Sequence, residues 1–259
     1  MSALHSFDLS GRTVMVTGAS SGLGRHFAQL LAASGARVVI TARRLPLLEQ
    51  LKAEIEAKGG AALPVAMDIG DEQSIIDGFD LAEQAFGPVD SVVANAGINI
   101  GGTALGMPAE DFDRIVSINL RGAFLTAREG ARRMIAAGSA ARHHGRVLLI
   151  SSITANHVYP HLAPYSATKA ALGQLCRTLA LEWSTKGVTV NSLCPGYMRT
   201  ELNDAYWSTD SGRALIDSFP RKRLMDMDAL DPMLLFLCSD LSGQVTGSEF
   251  TIDDGQTLG

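Results

Sequence analysis

Thr13-Val-Met-Val-Thr17-Gly18-Ala-Ser20-Ser21-Gly22-Leu23-Gly24 is the stretch whose reading decides the fold. A short β-type run passes directly into a glycine-rich turn. An apolar helical pattern follows through Phe27, Leu30, Leu31 and Ala33 and ends near Gly35. Glycines let the backbone turn sharply and approach a pyrophosphate closely, and the helix N-terminus favours negative charge. The spacing is Gly-x-x-x-Gly-x-Gly rather than the commoner Gly-x-Gly-x-x-Gly, but strand, turn and helix stand in the order that phosphate binding needs. The hydroxyls of Ser20 and Ser21 add donors to the backbone N–H groups.

Outward from this unit the alternation continues. Ala36 to Ala42 reads as a second strand, then Leu45 to Lys58 as an exposed helix, Ala62 to Met67 as a strand and Asp71 to Phe86 as a helix started by Asp71. Val89 to Ala94 is a fourth strand, closed by Asn95-Ala96-Gly97. Ala109 to Ala137 is one long helical stretch containing Asn119, and Gly138 to Gly145 a loop with His143-His144 in a surface turn. Arg146 to Ser151 is a fifth strand, Ala163 to Trp183 a helix and Val188 to Leu193 a strand running into Cys194-Pro195-Gly196. A helix over Ala229 to Ser239 and a strand over Glu249 to Ile252 finish the pattern. Near-continuous apolar strands alternating with helices predict an α/β fold, a doubly wound parallel sheet of about seven strands covered on both faces. With no linker, composition break or repeat, one domain over residues 1–259 is the simplest reading. Tyr197 to Asp228 lacks clean periodicity and follows a strand end, where open α/β sheets place ligands, so it reads as a substrate lid.

Composition narrows the function. The 259 residues are 46% apolar and 19% charged with a net charge of -5, and no basic run exists, which argues against nucleic acid or anionic membrane as partner. Met1 to Ser10 lacks the apolar core of a secretory signal, and no apolar run reaches the length of a membrane span. Cys176, Cys194 and Cys238 are far apart and odd in number, as small core residues with reduced thiols would be. A cytoplasmic protein is the expectation. Neither a His-Glu-x-x-His run nor paired cysteines are present, so no metal site is expected.

At the end of the second strand, Ala42 is followed by Arg43-Arg44. In a dinucleotide fold this tip meets the adenosine ribose. An acidic residue there suits the 2′-hydroxyl of NAD, whereas an arginine suits a 2′-phosphate, so Arg43 predicts NADP(H) as preferred over NAD(H). The alternative is that the arginines only begin the exposed helix. Tyr165-Ser-Ala-Thr-Lys169 places a phenol and an ammonium one helical turn apart on one face. A neighbouring positive charge favours the phenolate, which predicts a Tyr165 pKa lowered towards the working range of a general acid/base.

Thr17-Gly18-x-x-x-Gly22-x-Gly24, Asn95-Ala96-Gly97, Asn119, Ser152, Tyr165-x-x-x-Lys169 and Pro195-Gly196 occur in the order found in the short-chain dehydrogenase/reductase family, which the chain resembles over about residues 8 to 256. The resemblance implies a three-layer Rossmann fold and a set of roles. Gly18, Ser20, Ser21, Gly22, Leu23 and Gly24 would form the pyrophosphate turn. Asp68 and the backbone of Ile69 would contact adenine, and Asn95, Ala96 and Gly97 would lie beside the cofactor and hold neighbouring strands. Tyr165 and Lys169 would be the catalytic pair and also touch the cofactor, with Ser152, rather than its neighbour Ser151, beside the substrate. Asn119 would hold a water in a proton relay. Pro195, Gly196, Met198 and Thr200 would contact the nicotinamide end.

The implied reaction interconverts a ketone and a secondary alcohol by hydride transfer. The segment Cys194 to Leu202 resembles that of sugar-acid and polyol members such as gluconate 5-dehydrogenases, which suggests a small polar or sugar-derived substrate. A 3-oxoacyl-carrier-protein reductase, with Arg221, Lys222 and Arg223 as a basic docking patch, is the enzymatic alternative. A catalytically silent nucleotide-binding sensor or scaffold is the alternative of another class. The resemblance also implies a homodimer or homotetramer. The chain departs from the family at Asp254, where a glycine is more usual, and in a longer loop at Gly138 to His144.

Overall fold

The computed structural model describes residues 7–200 and 203–258. Most of the leader reading at Met1 to Ser10, and Glu201 and Leu202 of the substrate-side segment, lie outside them. Seven strands form one sheet: β1 (Thr13–Thr17), β2 (Arg37–Ala42), β3 (Ala61–Ala66), β4 (Ser91–Ala94), β5 (Gly145–Ile150), β6 (Val188–Pro195) and β7 (Glu249–Ile252). Their spatial order is β3-β2-β1-β4-β5-β6-β7, and every pairing is parallel. The strand order reverses between β1 and β4. In an open α/β sheet, that reversal opens a crevice at the carboxyl ends of the strands.

The connecting helices are α1 (Gly22–Ala33), α2 (Leu45–Glu56), α3 (Glu72–Phe86), α4 (Ala109–Val116), α5 (Ala123–Ala136), α6 (Ser139–Arg142), α7 (Ala163–Glu182), α8 (Asp204–Trp207), α9 (Asp210–Ser218) and α10 (Asp231–Cys238). Strand side chains alternate between the two faces because their period is two. Val14 and Val16 pack with Phe27 and Leu31 of α1, Leu48 and Leu51 of α2 and Leu234 of α10. Met15, between them, faces the other way, where Phe79 of α3, Leu125 of α5 and Leu172 of α7 cover the sheet. Each fully buried aliphatic side chain of this kind contributes about 1.5–3 kcal/mol. Helix α3 starts as its sequence predicts: the Asp71 side chain caps it by accepting from the Gln73 N–H at 2.9 Å. All three cysteines are buried and unpaired, with burial pushing the Cys176 and Cys238 thiols up to about 12.

Three expectations need correction. The stretch Ala109 to Ala137 is not one α-helix: a π-helical segment, Ser117–Gly122, separates α4 from α5 and carries Asn119. The loop after Gly138 contains the single turn α6. His143 does lie in an exposed turn, with φ 51°, but His144 does not. Its ring meets Arg12 and Asp240 at 3.0 Å each and Asp90 at 3.5 Å, in a polar cluster that also includes Arg146, at the amino ends of the strands. The segment read as a substrate lid holds α8 and α9, and in it Met198 pairs with Met225 as an isolated parallel bridge.

Candidate active site

The crevice between β1 and β4 is built by close backbone packing. Gly18 has φ +69°, and a Cβ there would lie 2.8 Å from Ala96 Cα; a Cβ at Gly24 would lie 2.4 Å from the Gly18 carbonyl oxygen. Neither position has room for a side chain, so the turn and the start of α1 sit directly on the end of β4. Thr17 Oγ1 accepts from the N–H groups of both Asn95 and Ala96 at 3.0 Å, and Asn95 Nδ2 donates to the Thr17 carbonyl at 2.9 Å. Asn95 thus ties β1 to β4 as expected.

Helix α1 opens at Ser21, whose side chain makes no capping hydrogen bond, and its first turn contains no acidic residue. Its first N–H groups therefore remain available to an anion. Leu23 is half-buried against the core. Arg44 reaches over the turn, its Nη2 3.0 Å from Ser20 Oγ and 3.5 Å from Ser21 Oγ, while Arg43 is exposed at the tip of β2. On the next strand end, Asp68 Oδ1 accepts from the Gly70 N–H at 2.9 Å and Ile69 is buried. Glycine turn, uncapped helix, paired serines and two arginines form a donor set that fits the pyrophosphate and a further phosphate of a dinucleotide.

The second half of the site stands at the end of β5. Ser152 Oγ accepts from the Thr154 N–H at 3.1 Å, while Ser151 Oγ donates to the Lys169 carbonyl at 2.8 Å. Ser151 is thus committed to holding α7. Ser152 lies close enough to Tyr165 for its hydroxyl to lower the phenol pKa. Lys169 Nζ sits 5.5 Å from the centre of the Tyr165 ring and donates to the Ile150 carbonyl at 2.7 Å. A Cβ at Gly97 would be 3.4 Å from Asn119 Oδ1 and 3.6 Å from Lys169 Nζ, so β4, the π-helical segment and α7 converge here. Asn119 Oδ1 accepts from the Ile98 N–H and its Nδ2 donates to the Ile98 carbonyl, both at 2.8 Å. These bonds, made from a π-helical segment of the kind that often marks functional sites, pin the loop after β4.

The electrostatics correct one expectation. Desolvation raises the Tyr165 phenol above its ordinary value, outweighing the opposing effect of Ser152. Burial also pushes the Lys169 ammonium down to about 8. In the protein alone, burial prevails over the attraction that the i,i+4 spacing suggests.

The Lys169 shift has a consequence for stability. Between about pH 8 and 10.5 the unfolded chain holds a proton that the folded chain has released, so the cost of the charge diminishes as pH rises through that window and is fully present below it. Lys169→Met is expected to raise stability at pH 7 by about 1–3 kcal/mol, seen as a higher Tm, because the buried charge is gone. The gain should shrink above pH 8. A lower Tm at pH 7 would contradict it.

On the other side, Pro195 ends β6 and Gly196 follows. Thr200 is half-buried, with its N–H donating to Asn203 Oδ1 at 2.7 Å. The Met198 side chain is 4% exposed and belongs to the core. Asp254 has φ 53°, the left-handed backbone that a glycine adopts without strain, and its carboxylate pairs with both Arg221 and Arg223. Those arginines are therefore tied to the end of β7, with more than half of each side chain still exposed. The sequence gives no direct signal for Arg44 over the serines, or for Tyr159 and Tyr197, whose rings meet edge-on at 5.2 Å. Among the described residues, no cluster of three or more His, Cys, Asp or Glu could hold a metal, and no helix is long and apolar enough to cross a membrane.

Comparison with known proteins gives concordant results. A family model described as short chain dehydrogenase matches residues 12–211. Gluconate 5-dehydrogenase of Gluconobacter oxydans is 32% identical over 253 residues, covering 97% of each chain. 3beta-hydroxysteroid dehydrogenase 1 of Eggerthella lenta is 35% identical over 254 residues, covering 97% of this chain and 95% of its own. Among solved structures, a gluconate 5-dehydrogenase from Burkholderia cenocepacia in complex with NADP and tartrate superposes with a TM-score of 0.91 at 32% identity, covering 98% of both chains.

Proposed function

The chain belongs to the short-chain dehydrogenase family, and from that premise we propose that it is an NADP(H)-dependent oxidoreductase, a single dinucleotide-binding domain that interconverts a ketone and a secondary alcohol. The observation that carries this reading is the convergence of Ser152, Tyr165 and Lys169 at the end of β5, across from the glycine turn. A bound nicotinamide would supply or accept the hydride. The protein's part is proton transfer and charge. Ser152 and Tyr165 hold the substrate oxygen between two hydroxyls, which stabilises negative charge developing on it. Tyr165 gives up its proton to that oxygen as general acid, or takes it back in alcohol oxidation. Lys169 sets a positive charge beside the phenol and would hold the ribose end of the cofactor. Asn119 acts as a positioning residue through Ile98.

The cofactor preference rests on Arg43 and Arg44. A charged hydrogen bond to the 2′-phosphate is worth about 1.5–3 kcal/mol. Arg43→Ala with Arg44→Ala should therefore raise the NADPH KM roughly tenfold to a hundredfold and leave the NADH KM within about twofold. Steady-state kinetics with both cofactors checks this, and equal losses for the two would remove the arginines from cofactor choice. The relatives' names span a sugar acid and a hydroxysteroid, so the reaction class is better supported than any one substrate. A small polar or sugar-derived substrate is supported by the gluconate 5-dehydrogenase relatives. Two cations of the carrier-protein alternative's docking patch, Arg221 and Arg223, share the single carboxylate of Asp254, and Lys222 between them is exposed.

The direct experiment follows NADPH and NADH absorbance with a panel of ketones, keto-sugar acids and a 3-oxoacyl thioester. NADPH-linked turnover of one ketone class supports the reading. Cofactor binding without turnover across the panel would favour a silent sensor.

A further inference from the structure

Tyr197 lies close enough to Tyr165 for the two phenols to act on each other, and it sits in a wall of aromatic rings. Strands β5 and β6 run in parallel with Ile150 opposite Leu193, so two residues further on Ser152 comes abreast of Pro195. Tyr197 then leaves the sheet next to the catalytic end of β5. Its backbone is fixed on both sides by the buried Gln256, which accepts from its N–H at 2.6 Å and donates to its carbonyl at 2.9 Å. Its ring is fixed as well: it stacks on Phe219 at 5.9 Å and 19°, and meets Trp207 edge-on at 5.5 Å. Tyr159, from the loop between Ser152 and α7, closes on it edge-on at 5.2 Å and 89°. Phe219 and Trp207 are buried behind, while Tyr159 and Tyr197 are half-buried and keep ring surface open.

The arginines around this wall are already engaged. Among the described residues of the covering segment, Arg199 pairs with Asp204, Arg213 with Asp210, and Arg221 and Arg223 with Asp254, while Lys222 is exposed and makes no ion pair. A substrate carboxylate would have to reach the exposed Lys222, take an arginine from one of these partners or enter the low-dielectric site unpaired, which is costly. An uncharged ring needs only the faces that Tyr159 and Tyr197 present. We propose that this aromatic wall selects an uncharged, ring-bearing ketone or secondary alcohol over a sugar acid, with Tyr197 as the specificity-determining residue. The inference rests on the hydride-transfer reading above and replaces its sugar-derived substrate class with a neutral cyclic one.

Purified protein with NADPH is assayed on tetralone and decalone against a keto-gluconate. The expected result is a kcat/KM at least about tenfold higher for the neutral rings. Tyr197→Ala should raise the tetralone KM about tenfold or more with kcat within roughly threefold, whereas Tyr197→Phe should keep the parental KM, since the ring face and not the hydroxyl is used. NADPH affinity, read by fluorescence titration, should be unchanged in both variants and reports that they are folded. Preference for keto-gluconate overturns the inference and leaves the hydride-transfer reading standing. Equal damage from Tyr197→Phe and Tyr197→Ala overturns the role of the ring. Failure to turn over any ketone, with NADPH still bound, overturns the hydride-transfer reading and the inference with it.

Discussion

Tyr165→Phe is expected to lower kcat by about 10²–10⁴-fold while leaving NADPH affinity nearly unchanged. The substitution removes one oxygen. The ring remains to pack near Lys169 Nζ, and that ammonium keeps its bond to the Ile150 carbonyl. What is lost is the proton donor to the substrate oxygen and one of the two hydroxyls that stabilise charge there. Ser152→Ala should cost less, because it removes a stabilising donor and leaves the proton source intact. The comparison is made by steady-state kinetics on the preferred ketone, with cofactor affinity measured separately. Turnover of Tyr165→Phe near the parental rate would remove the phenol from the mechanism. The pH profile gives a second view. The phenol is raised by burial in the protein alone, so the oxidative direction, which needs the phenolate, should gain rate as pH rises, and the reductive direction should lose it at the alkaline end. The same slope in both directions would argue against Tyr165 as the proton carrier.

Much of this site was legible in the sequence because its chemistry is local in the chain. The turn from Gly18 to Gly24 lies between a strand and a helix that each show their period, and Tyr165 and Lys169 sit on one helical face. Strand β7 was read at its observed bounds, Glu249–Ile252. What escaped depends on contacts between distant segments or on backbone detail that leaves no pattern. The π-helical segment around Asn119 is one case: the apolar repeat from Ala109 to Ala137 runs on regardless of the extra residue per turn that π geometry takes up. His144 sits in a stretch that reads as surface, yet it meets Arg12 and Asp240 from remote parts of the chain. Asp254 looked like an irregularity until Arg221 and Arg223 were seen on its carboxylate. The aromatic wall draws Tyr159, Tyr197, Trp207 and Phe219 from three separate segments, and only the fold brings them together. The phenol's pKa was misjudged for a related reason: sequence spacing reveals the neighbouring charge but not the burial that opposes it.

Arg133→Met is expected to destabilise the protein by about 3–5 kcal/mol. Arg133 lies on α5 with its side chain only 11% exposed, and it joins that helix to α3. It pairs with Asp80 at 2.7 Å, Glu83 at 2.7 Å and Glu129 at 2.6 Å, donates to the Ile76 carbonyl at 3.3 Å and lies over the Phe79 ring at 5.7 Å. A methionine fills the volume but leaves three carboxylates facing one another. Glu129 bears the brunt of this, since it is 3% exposed and would retain only Arg132. For a chain of this size, each kcal/mol moves Tm by roughly 2–4 °C, so a fall of about 10 °C is the expected reading. The control joins the same two helices at the surface: Arg128 and Glu72 pair with about half of each side chain in water, and Arg128→Ala should cost about 1 kcal/mol or less. Acid gives an independent check on the parental protein. Burial favours a neutral Glu129, but the two arginines prevail and hold its carboxyl below the ordinary 4.5. Its contribution is therefore fully present above pH 4.5 and is lost as pH falls through the lower folded value. In Arg133→Met the crowded carboxylates should bind protons more readily, so the stability difference between parent and variant should begin to narrow above pH 4.5, as the variant takes up protons, and narrow further below it, as the parent loses its ion pairs. A difference that stays constant from pH 7 to pH 4 would mean that the loss comes from packing against Phe79 and not from charge.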